Sequence, residues 1–195
     1  MIEGLLLILG YLAGSVSAGI LVARALGLGD PREAGSGNPG ATNVLRLGGR
    51  RAAAITLLVD ALKGVIPVLI AHAAGLSVPW LAAVGLAAFI GHLYPVFFGF
   101  RGGKGVATGF GVLLAWSWPV GVAALLTWAV AAGLVRISSV GALASFLLAP
   151  VYCLVLVDSP TLAAATAVMT ALIIWRHRGN IQRLINGTEG RLGRS

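Results

Sequence analysis

The chain has 195 residues, 58% of them hydrophobic and only 10% charged, with a mean hydropathy of +0.95 and a formal net charge of +8. Soluble domains carry about a quarter charged residues, so this composition excludes a soluble globular domain and points to an integral membrane protein. The positive charge does not read as a nucleic-acid surface, because basic and aromatic residues do not interleave. The charges flank apolar runs, where membrane orientation and anionic headgroups account for them.

The first apolar run, 2–23, has Glu3 ahead of it and Arg24 behind it. That reverses the basic-first layout of a signal peptide, so a retained span with its N-terminus outside is expected. A basic, Gly-rich segment follows. Within it Gly35-Ser36-Gly37-Asn38-Pro39-Gly40 spells GxGxxG, but no βαβ context surrounds it and Pro39 sits inside, so a dinucleotide site is not expected. Continuing to Arg46, the segment offers amides (Asn38, Asn43), hydroxyls (Ser36, Thr42) and a guanidinium. That set suits a phosphate-bearing ligand; it equally suits a Gly-rich turn whose Asn side chains satisfy backbone.

The second run, 52–74, carries Asp60 and Lys63 at i, i+3. Such a pair inside hydrocarbon is either functional or a self-neutralising structural pair. The third run, 80–100, contains His92 near Pro95, read as a hydrogen-bonded packing residue. Arg101-Gly102-Gly103-Lys104-Gly105 then interrupts the apolar stretch. Glycines let backbone N–H groups turn inward and the cations add charge, which together predict a phosphate cradle feeding a helix N-terminus. It is not a Walker A loop, which would need Gly at Phe98 and Ser or Thr at Gly105.

The run 106–135 is too long for one straight span and too short for two full ones. Trp116-Ser117-Trp118-Pro119 in its middle combines interfacial aromatics with a helix breaker, predicting two short helices. Charge parity agrees: two crossings put thirteen of the fourteen basic residues, all but Lys63, on one face. The positive-inside rule then selects an all-α polytopic protein of seven transmembrane helices, N-terminus outside and C-terminus cytoplasmic, as one membrane-embedded domain over 1–195.

Before the run 137–157, Arg136-Ile137-Ser138-Ser139 offers either ligand contacts or a helix cap. Cys153 is a lone, apolar-flanked cysteine, so neither a disulfide nor a Cys-built metal site is expected. After the run 160–175, His177, Asn180 and Arg183 fall at spacing three and share a face if the helix continues. The bland alternative is a basic tail skimming the membrane.

These motifs together resemble the PlsY family, the bacterial membrane glycerol-3-phosphate acyltransferases that use acyl phosphate as donor. Three motifs in order carry the likeness: Ser36 to Arg46, Gly102 to Thr108, and His177 with Asn180, Arg183, Gly187 and Glu189. Asp60 to Gly64, Gly91 to Phe97 and Arg136 to Ser139 extend it over the whole chain. The resemblance implies transfer of a fatty acyl group from acyl phosphate to the 1-hydroxyl of glycerol 3-phosphate at the cytoplasmic face of the bacterial plasma (inner) membrane. Lysophosphatidic acid and phosphate are the products, no cofactor or metal is needed, and a separate acyl phosphate synthase supplies the donor.

On this reading His177, Asn180, Lys104 and Ser36 are the expected catalytic residues. Asn38, Gly40, Thr42, Asn43, Arg46, Gly102, Gly103, Gly105, Thr108, Ser139 and Arg183 are expected to bind substrate or phosphate. Asp60, Lys63, His92 and Glu189 are structural or unassigned, with Glu189 expected as an ion-pair partner of Arg183 or Arg191. Either His177 or a donor phosphate oxygen takes the proton. The HxxxxD motif of other glycerolipid acyltransferases is missing after every histidine. The alternative function is a small transporter of an anion or lipid precursor, with Asp60 and Lys63 on its pathway; a non-catalytic headgroup binder is a third.

Overall fold

The structure is a computed structural model describing residues 1–192. Arg194, counted above among the basic tail residues, lies outside them. The described residues form nine α-helices and one 3-10 turn, with no strand. In chain order they are α1 (Ile2–Gly14), α2 (Ala18–Ala25), α3 (Ala41–Ala73), α4 (Val78–Leu93), the 3-10 turn (Val96–Phe98), α5 (Val106–Trp116), α6 (Trp118–Val135), α7 (Ser138–Val157), α8 (Pro160–Arg176) and α9 (Arg178–Ile185).

By length and composition α3, α6, α7 and α4 with its 3-10 turn are long and apolar enough to cross a membrane. The bent pair α1–α2 makes a fifth if it is one span, while α5 and α8 are shorter apolar helices. The first apolar run is thus not one continuous helix. It breaks over Ser15–Ser17 and bends by 42°, with Ser17 extended at φ −88°, ψ 94°. Ser15 Oγ donates back to the Tyr11 carbonyl at 2.8 Å, a bond that competes with the helical ladder. The break leaves the Val16 carbonyl outside any helix, and Lys63 Nζ donates to it at 2.6 Å.

Helix α3 starts well before its apolar run, at Ala41, and passes a non-helical Gly49 (φ 78°, ψ −173°) that only a residue lacking Cβ adopts freely. Arg46 therefore lies on a short helical segment ahead of the kink. The split expected in 106–135 is present: Ser117 is extended (φ −161°, ψ 113°) and Pro119 opens α6, where its missing N–H costs nothing. The two tryptophans part company, however. Trp118 is 71% exposed, whereas Trp116 is buried in the core with Nε1 donating to the Leu81 carbonyl at 2.8 Å, so it is not an interfacial anchor.

Helices α3 and α5, α1 and α4, α6 and α7, and α7 and α8 are the principal packing pairs. Phe89, Leu113, Phe146, Met169 and Ile173 are fully buried between them. Close approach relies on small residues, as usual where lipid and core are equally apolar. A Cβ on Gly111 would collide with the Ala61 carbonyl of α3, and one on Gly14 with the Ala88 backbone of α4. Gly111→Val is accordingly expected to destabilise the protein by about 1–3 kcal/mol through overpacking. Gly133→Ala, which meets open space, should leave stability unchanged or raised. Thermal unfolding of detergent-solubilised protein reads both.

Candidate functional site

The loop carrying Lys104 is built from its neighbours inward. Helix α4 stops at Leu93 ahead of Pro95, the 3-10 turn follows, and Gly99 and Phe100 both take left-handed conformations (φ 65° and 59°). The chain thereby doubles back on the end of α4: Gly102 N–H donates to the Leu93 carbonyl and Gly103 N–H to the His92 carbonyl, each at 3.2 Å. The carbonyls of both glycines are held in turn by Arg176 at the end of α8, with Nε to Gly103 O at 3.0 Å and Nη2 to Gly102 O. A Cβ on Gly102 would strike the His92 carbonyl, and one on Gly103 would strike His92 Nε2.

This gives the expected cradle a structural part. The N–H groups of Gly102 and Gly103 donate to carbonyls, and both glycines are needed for close approach. Gly105, left-handed at φ 87° and capping α5, turns the chain into the helix whose first N–H groups lack intrahelical acceptors. Thr108 is engaged within the fold. Its buried hydroxyl donates to the Asp60 carbonyl at 2.8 Å and lies 3.0 Å from His92 Nδ1. A hydroxyl has one proton, so His92 Nδ1 carries the hydrogen of that second bond.

Asp60 completes this buried network. Its Oδ1 is 2.8 Å from Lys63 Nζ and 3.5 Å from His92 Nδ1. With Lys63 also bonded to Val16 O, the two charges face each other inside the fold, as a structural pair would.

The remaining side chains converge. Lys104 Nζ donates to Asn180 Oδ1, and Asn180 Nδ2 donates to Glu189 Oε1. Ser139 Oγ donates to the same Oε1 at 2.8 Å, and Arg183 Nε to Oε2 at 2.7 Å, the expected ion pair. Residues from the α5 entry, the first turn of α7, α9 and the tail thus meet on one carboxylate. Arg46 reaches the same neighbourhood, since a Cβ on Gly190 would lie 3.1 Å from its Nη2. The helix does not run unbroken through the tail. α8 ends at Arg176 and α9 restarts at Arg178, yet His177, Asn180 and Arg183 still gather at this end.

His177 is 3% exposed, with Nδ1 2.8 Å from the Ile173 carbonyl. A carbonyl only accepts, so Nδ1 bears the proton and Nε2 keeps its lone pair. Burial, then the neighbouring Lys104 charge, pushes its pKa down to about 4. Burial also lowers Lys104, to about 8, with Glu189 resisting and Arg183, Arg176 and Arg46 reinforcing the drop. For Glu189, burial alone would raise the carboxyl, but bonds from Asn180, Ser139 and Arg183 hold it below its ordinary value. One carboxylate faces three cations, which leaves a site suited to a further anion.

The Ser36 to Arg46 segment divides. Asn43 is buried and committed: Oδ1 accepts from Ser36 N, while Nδ2 donates to Pro31 O and Ala34 O, all at 2.9 Å. It shapes the loop, as in the turn alternative of the sequence. Ser36, Thr42 and Arg46 are exposed, Asn38 is half-buried beside Gly40, and Gly40 caps α3. Arg176 had no individual place in the sequence reading; its only signal was a basic residue at a helix end, which many membrane helices carry.

A family model described as glycerol-3-phosphate acyltransferase matches residues 4–187. The chain belongs to the glycerol-3-phosphate acyltransferase family. It is 59% identical to the glycerol-3-phosphate acyltransferase of Methylococcus capsulatus over 98% of this chain and 97% of that one. Against the enzyme of Halorhodospira halophila it is 57% identical over 100% and 99%. Among solved structures, the glycerol 3-phosphate form of PlsY (YgiH), an integral membrane glycerol 3-phosphate acyltransferase, superposes with a TM-score of 0.94 at 41% identity, covering 99% of this chain and 96% of the other. Its lysophosphatidic acid form gives 0.91 at 40%, with the same coverage.

Because Lys104 titrates at about 8 and must be cationic to attract an anion, affinity of the site for sulfate, a dianion throughout, should fall as pH rises from 7 to 9. Lys104→Arg should hold its affinity across that range, while Lys104→Gln should bind about tenfold or more weakly and lose the pH dependence. Calorimetric titration at each pH checks this.

Proposed function

We propose that this protein transfers a fatty acyl group from acyl phosphate to the 1-hydroxyl of glycerol 3-phosphate, yielding lysophosphatidic acid and phosphate. The observation that carries the reading is the cluster of Lys104, Asn180, Ser139, Arg183 and Glu189 beside a neutral His177, in a chain of this family. We place the site at the cytoplasmic face of a bacterial plasma (inner) membrane, with seven spans, the N-terminus outside and the C-terminus inside. The short helices α5 and α8 would then complete the crossings with α1–α2, α3, α4, α6 and α7.

Lys104, Arg46 and Arg183 neutralise phosphate charge as the two reactants approach, and the free N–H groups at the start of α5 add to the field. Ser139 and Asn180 are fixed through Glu189, so the Asn180 amide and the Lys104 ammonium are oriented before substrate arrives. Ser36, exposed on its loop, offers a hydroxyl to the reactants. The lone pair of His177 Nε2 accepts a hydrogen bond from the 1-hydroxyl and aims its oxygen at the acyl carbon.

The balance of the step favours the donor phosphate as final proton acceptor. An imidazole near pKa 4 is a weak base at cytoplasmic pH, whereas the phosphate oxygen that leaves the acyl carbon becomes strongly basic as its bond breaks. The bond between the glycerol oxygen and the acyl carbon forms, the acyl carbon–phosphate oxygen bond breaks, and the hydroxyl proton leaves on the departing phosphate. Acyl phosphate is a mixed anhydride with a good leaving group, so no covalent acyl-enzyme is required. The donor comes from a separate acyl phosphate synthase.

A transporter would place its polar groups near the midplane between repeated halves. Here the unspent polar groups gather at one end, and Asp60 and Lys63 are internally matched. Incubating purified protein with glycerol 3-phosphate and, in turn, acyl phosphate, acyl-CoA or acyl-carrier protein decides the matter. Lysophosphatidic acid and stoichiometric phosphate are expected from acyl phosphate alone. Turnover with a thioester donor would refute the donor assignment, and no product from any donor would refute acyl transfer.

A further inference from the structure

A second group of cations gathers just ahead of Lys104, and the acyl transfer described above does not draw on it. Arg32, Gly37, Phe100, Arg101, Gly102 and Arg176 line a cavity of about 180 Å³. It shares no residue with the cluster around Glu189, and no acidic side chain lines it.

The three guanidinium groups are differently committed. Arg32 grips Asp30 with Nε and Nη2, at 3.0 and 2.6 Å, and donates from Nη1 to Phe98 O at 2.8 Å. This pairing holds the Asp30 carboxyl below its ordinary range and consumes its charge inside the loop. Arg176 uses Nε and Nη2 on the glycine carbonyls, and its Nη1 has no hydrogen-bond acceptor among the described residues. Arg101 is exposed and has no ion-pair partner among them. Two cations are therefore unneutralised at a cavity whose geometry is fixed by the third.

Planar guanidinium donors match phosphate oxygens better than any other protein group. The setting adds a second clue. Phe97 and Phe100, 60% and 57% exposed, and Val96 stand on the same loop, so apolar side chains flank the charged cavity. Exposed aromatics beside arginines are the pattern of a membrane–water boundary where phosphate headgroups lie.

We propose that this cavity is a second phosphate-binding site, distinct from the one at Lys104, for a phosphate group carried by a lipid or free in solution. Because Arg176 holds the carbonyls of Gly102 and Gly103, an anion that draws on its Nη1 acts on the loop that presents Lys104. Occupancy at one site is thus coupled to the other through two glycines.

Native mass spectrometry of the full-length protein tests this. With inorganic phosphate, Arg101→Gln is expected to bind one equivalent fewer than wild type, Lys104→Gln to keep the equivalent that Arg101→Gln loses, and the double variant to lose both. In a second arm with phosphatidylglycerol, Arg101→Gln should bind at least tenfold more weakly than wild type, while Arg191→Gln, altered on the tail outside the cavity, should not. Selective loss in either arm supports the site and identifies the source of the phosphate. Unchanged binding by Arg101→Gln in both arms, or equal loss in Arg191→Gln, overturns it. Neither readout requires turnover, so the result is independent of the acyl-transfer assay.

Discussion

Holding a buried lysine ammonium among arginines is the constraint around which the rest of this structure is arranged. Removing a charge from water is costly unless dipoles or opposite charges replace the hydration. Lys104 receives Asn180 directly and Glu189 through it, enough to hold the cation in place. Even so its pKa is depressed to about 8 by burial and the surrounding arginines, so the site remains under-neutralised. On the proposed function, that residual imbalance is what an incoming phosphate relieves.

The loop that presents Lys104 is held on both sides by backbone contacts. Below it, the carbonyls of His92 and Leu93 take the glycine N–H groups; beside it, Arg176 takes the glycine carbonyls. His92 is in turn fixed by Thr108, and Thr108 by the Asp60 carbonyl. Lys63 carries the chain of contacts across to the broken helix at Val16. A charge cluster inside the helices therefore sets the position of a loop at their end, and α1–α2, α3, α4, α5 and α8 all contribute to placing one ammonium.

Much of this was legible in the sequence, for physical reasons that are specific to each element. Trp116-Ser117-Trp118-Pro119 announced its break because proline cannot continue a helix beyond its first turn. The convergence of Lys104, Ser139, Asn180 and Arg183 followed from charge parity and the family motifs, since each is polar where burial is costly. The bend at Ser15–Ser17 was hidden, because two serines scarcely interrupt an apolar run and the partner that stabilises the freed carbonyl, Lys63, lies far along the chain.

Other residues take a structural part that their type alone does not announce. Asn43 and Thr108 have the donors and acceptors that phosphate needs, but those same groups satisfy backbone and neighbours that only the folded chain brings near. Gly102 and Gly103, expected as anion donors, act as spacers against His92. On the proposed function, the phosphate grip draws on side chains more than on the amides of these two glycines. The most direct measurement is a structure of this protein with glycerol 3-phosphate bound. The account predicts phosphate oxygens within hydrogen-bond distance of Lys104 Nζ and of Arg46 or Arg183. Glycerol 3-phosphate bound away from Lys104, with the Lys104–Asn180–Glu189 contacts intact, would contradict it.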